Sequence, residues 1–309
     1  MLNTDTKARE FKFDSIHYIK ALFELMKPRV MSLAIFTCVV GFLIAPYKSV
    51  DYLYAILSIT AVALGSGAAG SLNCWYEADV DKVMSRTCLR PIPTGKLTKN
   101  EALVFGIVSS FVSVGALYFF SNLMAAALLA LTILFYVFVY TVWLKRRTPQ
   151  NIVIGGASGA FPPMIGWAAV TGSVGFESLV LFAMIFFWTP PHFWALALYR
   201  SGEYAKAKVP MMNEVRGAKS TLNQSKVYCG LLLLLGSVPC FWPASGIPLL
   251  WAFASGGLTV WYAKSVWDID PEEPFDENGR MPKAAKSFFR SLFYLGWMFL
   301  ALVAISAVP

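Results

Sequence analysis

Charge is scarce in this 309-residue chain. Asp, Glu, Lys and Arg make up 14% of it, hydrophobic residues 57%, and mean hydropathy is +0.58. A water-soluble domain carries roughly 25% charged residues, so half that supply cannot cover a water-facing surface. An ordinary cytosolic enzyme, a disordered protein and a disulfide-rich secreted module are therefore excluded. Histidine is scarcer still, with only His17 and His192. The five cysteines, Cys38, Cys74, Cys88, Cys229 and Cys240, contain no C-x-x-C pair. Neither a zinc site nor a disulfide framework is indicated. The cysteines in or beside apolar runs read as small hydrophobes. No cleavable leader is read either: the first 28 residues mix Asp5, Glu10, Asp14 and Glu24 with bases, and a transit peptide is poor in acids.

Long apolar runs are plentiful. Nine can be drawn, at 30–47, 52–73, 101–120, 123–144, 151–171, 177–199, 227–243, 246–263 and 291–308. Runs of about 17–25 residues suit membrane helices, and the alternation expected of a barrel is absent. Net charge is +8. All Lys and Arg except Lys48 fall in the segment before the first run (Lys7, Arg9 and Lys12 among them) or in the loops after the second, fourth, sixth and eighth. The positive-inside rule places that face in the cytoplasm and Pro309 on the other side. The basic excess is thus expected to meet anionic lipid. No soluble domain is left over for nucleic acid, so no nucleic-acid partner is expected.

Gly65-Ser66-Gly67-Ala68-Ala69-Gly70 matches a dinucleotide fingerprint by letter but lies inside an apolar span, where small residues allow helices to approach closely. Gly155 to Gly159 reads the same way. The proline pairs Pro162-Pro163 and Pro190-Pro191 should kink their helices, either as simple shape adjustment or to line a cavity.

The most informative stretch is Asn73-Cys-Trp-Tyr-Glu77-Ala-Asp79-Val-Asp81. If the helix continues past the membrane edge, Asn73, Glu77 and Asp81 share one face at i, i+4 and i+8. Such a face can hold Mg²⁺, which takes oxygen ligands and usually one or two carboxylates plus substrate phosphate. A solvated acidic helix end is the competing reading, and Asp79 is expected to be solvated. Downstream, Arg86, Arg90 and Lys96 could grip a diphosphate, although a cytoplasmic loop carries such bases without any ligand. His192 is an ionisable group in a span, a functional candidate by default or a histidine satisfied within the bundle. His17 reads as solvated.

Taken together, Asn73 to Asp81, Arg86 to Gly95, Thr148-Pro-Gln-Asn-Ile-Val-Ile-Gly-Gly, Trp188-Thr-Pro-Pro-His192-Phe-Trp and Lys208-Val-Pro-Met-Met resemble the UbiA superfamily of intramembrane prenyltransferases, in its haem-modifying branch. The resemblance runs from about Lys27 to the last span. It implies an all-α polytopic membrane bundle of about nine helices around a central cavity, with 1–29 a cytoplasmic N-terminal segment and 30–309 one transmembrane domain. It implies farnesyl transfer from farnesyl diphosphate to a vinyl group of protohaem IX (haem B), with Mg²⁺ as cofactor, a bacterial inner-membrane location and haem A synthase as a protein partner. By the same resemblance Asn73, Glu77 and Asp81 are the catalytic, metal-holding set. Arg29, Arg86, Arg90, Lys145, His192, Tyr199, Arg200, Glu203 and Lys208 are the substrate-binding set. Glu77 stands at the middle position of the family's N-x-x-x-D-x-x-x-D signature. Where most members carry a second acidic cluster after span six, His192, Tyr199 and Glu203 leave one carboxylate. A quinone or chlorophyll precursor is the alternative acceptor. A transporter is a different class, disfavoured because the acids cluster at one end and not at the bilayer midplane.

Overall fold

The computed structural model describes residues 15–46, 51–242, 248–277 and 280–306. The expectations placed on Lys7, Arg9, Lys12, Lys48 and Pro309 lie outside them. Each of the nine apolar segments is helical. Before them comes α1 (Ser15–Leu25), which meets α2 (Pro28–Ile44) at a 59° bend. Then follow α3 (Tyr52–Tyr76), the short α4 (Ala78–Val83), α5 (Lys99–Phe120) and α6 (Leu123–Leu134), which widens into a π-helix over Phe135–Leu144. The fifth segment is α7 (Asn151–Gly155) running into α8 (Ala157–Thr171), and the sixth is α9 (Phe176–Tyr199). After the single turn α10 (Glu203–Lys206) come α11 (Met212–Ser237), α12 (Pro248–Trp267) and α13 (Pro282–Ser306). No strand occurs among the described residues.

Seven of these segments are long and apolar enough to cross a membrane, eight if bent α1–α2 counts as one span. The ninth, α12, falls short in apolarity because Ser255, Gly256, Gly257, Thr259 and Lys264 dilute it. Large apolar side chains such as Phe111, Phe119, Leu234 and Phe253 point outward from the bundle, as a lipid-facing surface requires.

Two packed regions make most of the interior, with three smaller clusters beside them. In one, α9, α11, α12 and α13 enclose Trp188, Trp251, Tyr262, Tyr294 and Phe299. In the other, α2, α3, α5, α6 and α8 meet around Leu72, Leu129 and Ile165. Small residues permit the closest crossings: a side chain at Gly41 would strike the carbonyl of Pro163, and one at Gly166 that of Cys38. Helices α8 and α9 run unbroken through both proline pairs.

The glycines of α3 have a specific job. A Cβ on Gly67 would strike the side chain of Met26, and one on Gly70 would lie 3.1 Å from the Met26 carbonyl oxygen. The bend between α1 and α2 therefore sits directly on α3. There Lys27 adopts a left-handed backbone (φ 58°), with Pro28 starting α2. Its chain position is set by that contact.

Candidate active site

Helix α3 ends at Tyr76, Glu77 breaks it (φ −96°, ψ 15°), and the chain turns into α4. Asn73, Glu77 and Asp81 are all buried, at 2%, 1% and 2% exposure. The helix does not continue unbroken, but Glu77 and Asp81 keep i to i−4 backbone bonds to Asn73 and Glu77, and the competing reading of a solvated acidic end is overturned. The loop of residues 84–98 folds back over α4: Thr87 donates to the Asp81 carbonyl at 3.0 Å, and Arg90 Nη1 reaches both Asp81 carboxylate oxygens at 2.8 Å.

Each of the three side chains is held by a base. Lys27 Nζ donates to Asn73 Oδ1, Lys145 Nζ donates to Glu77 Oε2, and Arg90 pairs with Asp81. Both protons of the Asn73 amide nitrogen are used, because Nδ2 donates to Glu77 Oε2 at 2.9 Å and to Thr141 Oγ1 at 3.0 Å, while Oδ1 keeps one lone pair beyond the Lys27 bond. Thr141 lies on the π-helical stretch, a local widening often found at functional sites. The same stretch carries Tyr140, over whose ring the Lys145 ammonium sits at 5.7 Å. Burial pushes the Glu77 carboxyl up, but Lys145, Lys27 and Asn73 together outweigh this and hold the group below its usual range. Burial likewise pulls the Lys145 ammonium down, and Glu77 raises it above its ordinary value. Lone buried ions of either sign would be costly, and the pairing offsets that cost.

Glu77 Oε1 is the exception: buried, with no partner. Asn73, Glu77 and Asp81 offer only oxygen donors, with two carboxylates. That set suits Mg²⁺, which takes few protein ligands and completes its shell with water and phosphate, and Oε1 is an oxygen still unspoken for. No group of three or more His, Cys, Asp or Glu side chains converges among the described residues; the candidate set has two carboxylates and one amide.

The other expected residues divide. Asp79 is not simply solvated: Arg146 grips both its oxygens at 2.7 and 2.9 Å, and that bond lowers its carboxyl below the ordinary value. Arg29, Arg86 and Lys208 are exposed, outside the buried lattice. Tyr199, Arg200 and Glu203 do gather: Arg200 pairs with Glu203 at 3.0 Å and stacks over Tyr199, while Ser85 donates to Glu203 at 2.8 Å across from the α4 side. Arg200 Nε and Glu203 Oε2 are buried without partners. His192 is buried elsewhere, with Trp188, Phe193, Phe288 and Ser291 as its neighbours. His17 is exposed at the start of α1. The reading of the sequence missed Lys27 and Thr141; the Lys27-Pro28 pair after one helical run and before another was the available signal.

This lattice of carboxylates and bases lies at one end of a helical membrane bundle. A model of the UbiA prenyltransferase family matches residues 34–293, and the chain belongs to that family. Among its relatives, the protoheme IX farnesyltransferase of Pelagibacter ubique is 49% identical over 97% of both chains. That of Parvibaculum lavamentivorans is 52% identical over 90% of this chain and 86% of its own. The fold is that of a solved digeranylgeranylglyceryl phosphate synthase (TM-score 0.74, 19% identity, 94% of this chain and 98% of that one). It is also that of an Archaeoglobus fulgidus UbiA homologue bound to GPP and Mg²⁺ (TM-score 0.69, 14% identity, 92% and 100%).

Proposed function

We propose that this protein transfers the farnesyl group of farnesyl diphosphate to a vinyl group of protohaem IX, giving haem O. The observation that carries the reading is the buried lattice of Asn73, Glu77 and Asp81 with its three bases, in a chain about half identical to protoheme IX farnesyltransferases over nearly its whole length. In this reading the three side chains hold Mg²⁺, which supplies positive charge where the diphosphate leaves. Lys145 and Arg90 give up the carboxylates they now hold and bind diphosphate oxygens. Arg86 and Lys208, exposed on the flanking loops, and Arg29, exposed in the first turn of α2, receive the diphosphate at the rim. Lys27 keeps the Asn73 amide in place. Arg200, with a free buried Nε, binds an anionic group of the substrates, steadied by Tyr199 and Glu203.

Preorganised charge of this kind acts most strongly in a site that excludes water. The allylic C–O bond breaks and the diphosphate departs with the electron pair. The vinyl π electrons form the new carbon–carbon bond, and water adds to the resulting haem-side cation and loses a proton. Tyr136 and Tyr140 supply aromatic faces beside the lattice that stabilise cationic charge. We assign His192 to the haem side. The basic ends of the spans face the cytoplasm of a bacterial inner membrane, with the N-terminus inside and the C-terminus in the periplasm. The product then passes to haem A synthase.

The test is direct. Purified protein is incubated with haem B, farnesyl diphosphate and Mg²⁺, and the products are identified by mass. Haem O formed only with all three supports the reading. No haem product, together with prenylation of an aromatic acid, moves the activity to the quinone branch.

A further inference from the structure

The seam between α9 and α13 holds a second buried polar group with no counter-ion. His192 is 6% exposed, and its ring stacks between Trp188 (centroids 4.2 Å, planes 20° apart) and Phe288 (4.7 Å, 27°). Its Nδ1 lies 2.5 Å from Ser291 Oγ, on a residue of α13 that is fully buried. Ser291 holds the seam twice, because its backbone carbonyl also accepts the Trp188 indole N–H at 2.9 Å.

The proton on this pair can be placed by counting. Ser291 Oγ lies 2.6 Å from the Phe288 carbonyl oxygen. A carbonyl has no proton to give, so the serine hydroxyl must donate there, and a hydroxyl has only one proton. Ser291 Oγ can then only accept from His192, which makes Nδ1 the protonated nitrogen. The other nitrogen, Nε2, is left with a bare lone pair and has no hydrogen-bond partner among the described residues. With both ring faces covered, the lone pair is the one reactive feature this side chain presents. A neutral imidazole whose far N–H is tied to an oxygen is the usual build of a metal-binding histidine.

We propose that Ser291 is a positioning residue that fixes the Nδ1–H tautomer of His192 and so presents Nε2 as the axial ligand to the iron of the haem acceptor. The proposal rests on the reading that the acceptor is haem. Iron is here part of the substrate: the bond seats the porphyrin and takes no part in the carbon–carbon bond.

The chain has only two histidines, so ¹⁵N-histidine labelling gives a spectrum that His192→Gln assigns. In haem-free protein His192 should show a protonated Nδ1 and an unprotonated Nε2; the reverse assignment overturns the proposal. With ferrous haem B bound, resonance Raman should show an iron–histidine stretch that His192→Gln abolishes. Ser291→Ala keeps the carbonyl that holds Trp188, so the seam stays closed. It should move the stretch to lower frequency and weaken haem binding about 10-fold, while Ser291→Thr, which keeps the hydroxyl, restores the band. A stretch unchanged in Ser291→Ala, or persisting in His192→Gln, overturns the assignment. Haem bound and farnesylated by the wild type with no such stretch overturns it too and leaves the activity intact. A wild type that neither binds nor farnesylates haem removes the activity reading itself.

Discussion

At the end of α3, Asn73, Glu77 and Asp81 are buried under three bases from three different segments, each base making a charged or charge-assisted contact. At the α9–α13 seam, His192 is equally buried but has one serine hydroxyl and two aromatic faces for company. The first arrangement stores positive charge that can be redirected to an anion. The second keeps a lone pair neutral and aimed. A reaction between a diphosphate donor and a conjugated vinyl acceptor can use both, and under the proposed function the two ends take one substrate each.

The comparison can be broken most severely at the acidic face. Asp81→Asn or Glu77→Gln should cut turnover by about 10²–10³-fold, the usual loss when a charge that stabilises a transition state is removed. Either change also strands a buried base, so activity must be measured per folded protein, checked by size-exclusion elution. Full activity in either variant removes the metal assignment. Lys145→Met removes a base that the proposed function places on the diphosphate and should raise the KM for farnesyl diphosphate about 10-fold or more while leaving the haem spectrum unchanged. Gly67→Val tests the link from the α1–α2 bend to the site. Overpacking there should cost about 1–3 kcal/mol in thermal unfolding and lower activity by displacing Lys27 from Asn73. The smallest effect belongs to Asp79→Asn. Its pair with Arg146 is largely exposed, and such pairs are worth about 1 kcal/mol or less. Because Arg146 lowers the Asp79 carboxyl, the small stabilisation is complete above the unfolded value of about 4. It fades only as pH falls through the lower folded value, so at neutral pH Asp79→Asn should leave turnover near that of the wild type.

Much of the architecture was legible from period and length: all nine apolar segments are helices, with ends shifted by a few residues except at α11 and α13, which begin well before their predicted starts. Helix α11 is broken at Gly217 (φ 77°, ψ 164°) and carries Arg216 before the break and Lys219 and Lys226 after it, so hydropathy alone could not see its start. The Asn73–Glu77–Asp81 face was readable from spacing because it is local. Its burial was not, since the cover comes from Arg90, Lys145 and Lys27, brought in by a loop, a π-helix and a bend whose packing depends on Gly67 and Gly70. The bond between His192 and Ser291 joins residues 99 apart, and no local pattern marks a serine in α13 as different from its neighbours. The weak expectation for His192 rested on its rarity in a span; what gives it chemical direction is a tertiary contact.

The separation of donor and acceptor ends is tested most directly by titrating haem B into Asp81→Asn and following the Soret band. The account predicts a shift and an affinity equal to those of the wild type in a protein that has lost turnover. A Soret shift abolished by Asp81→Asn in folded protein would place the haem on the acidic face and contradict the division.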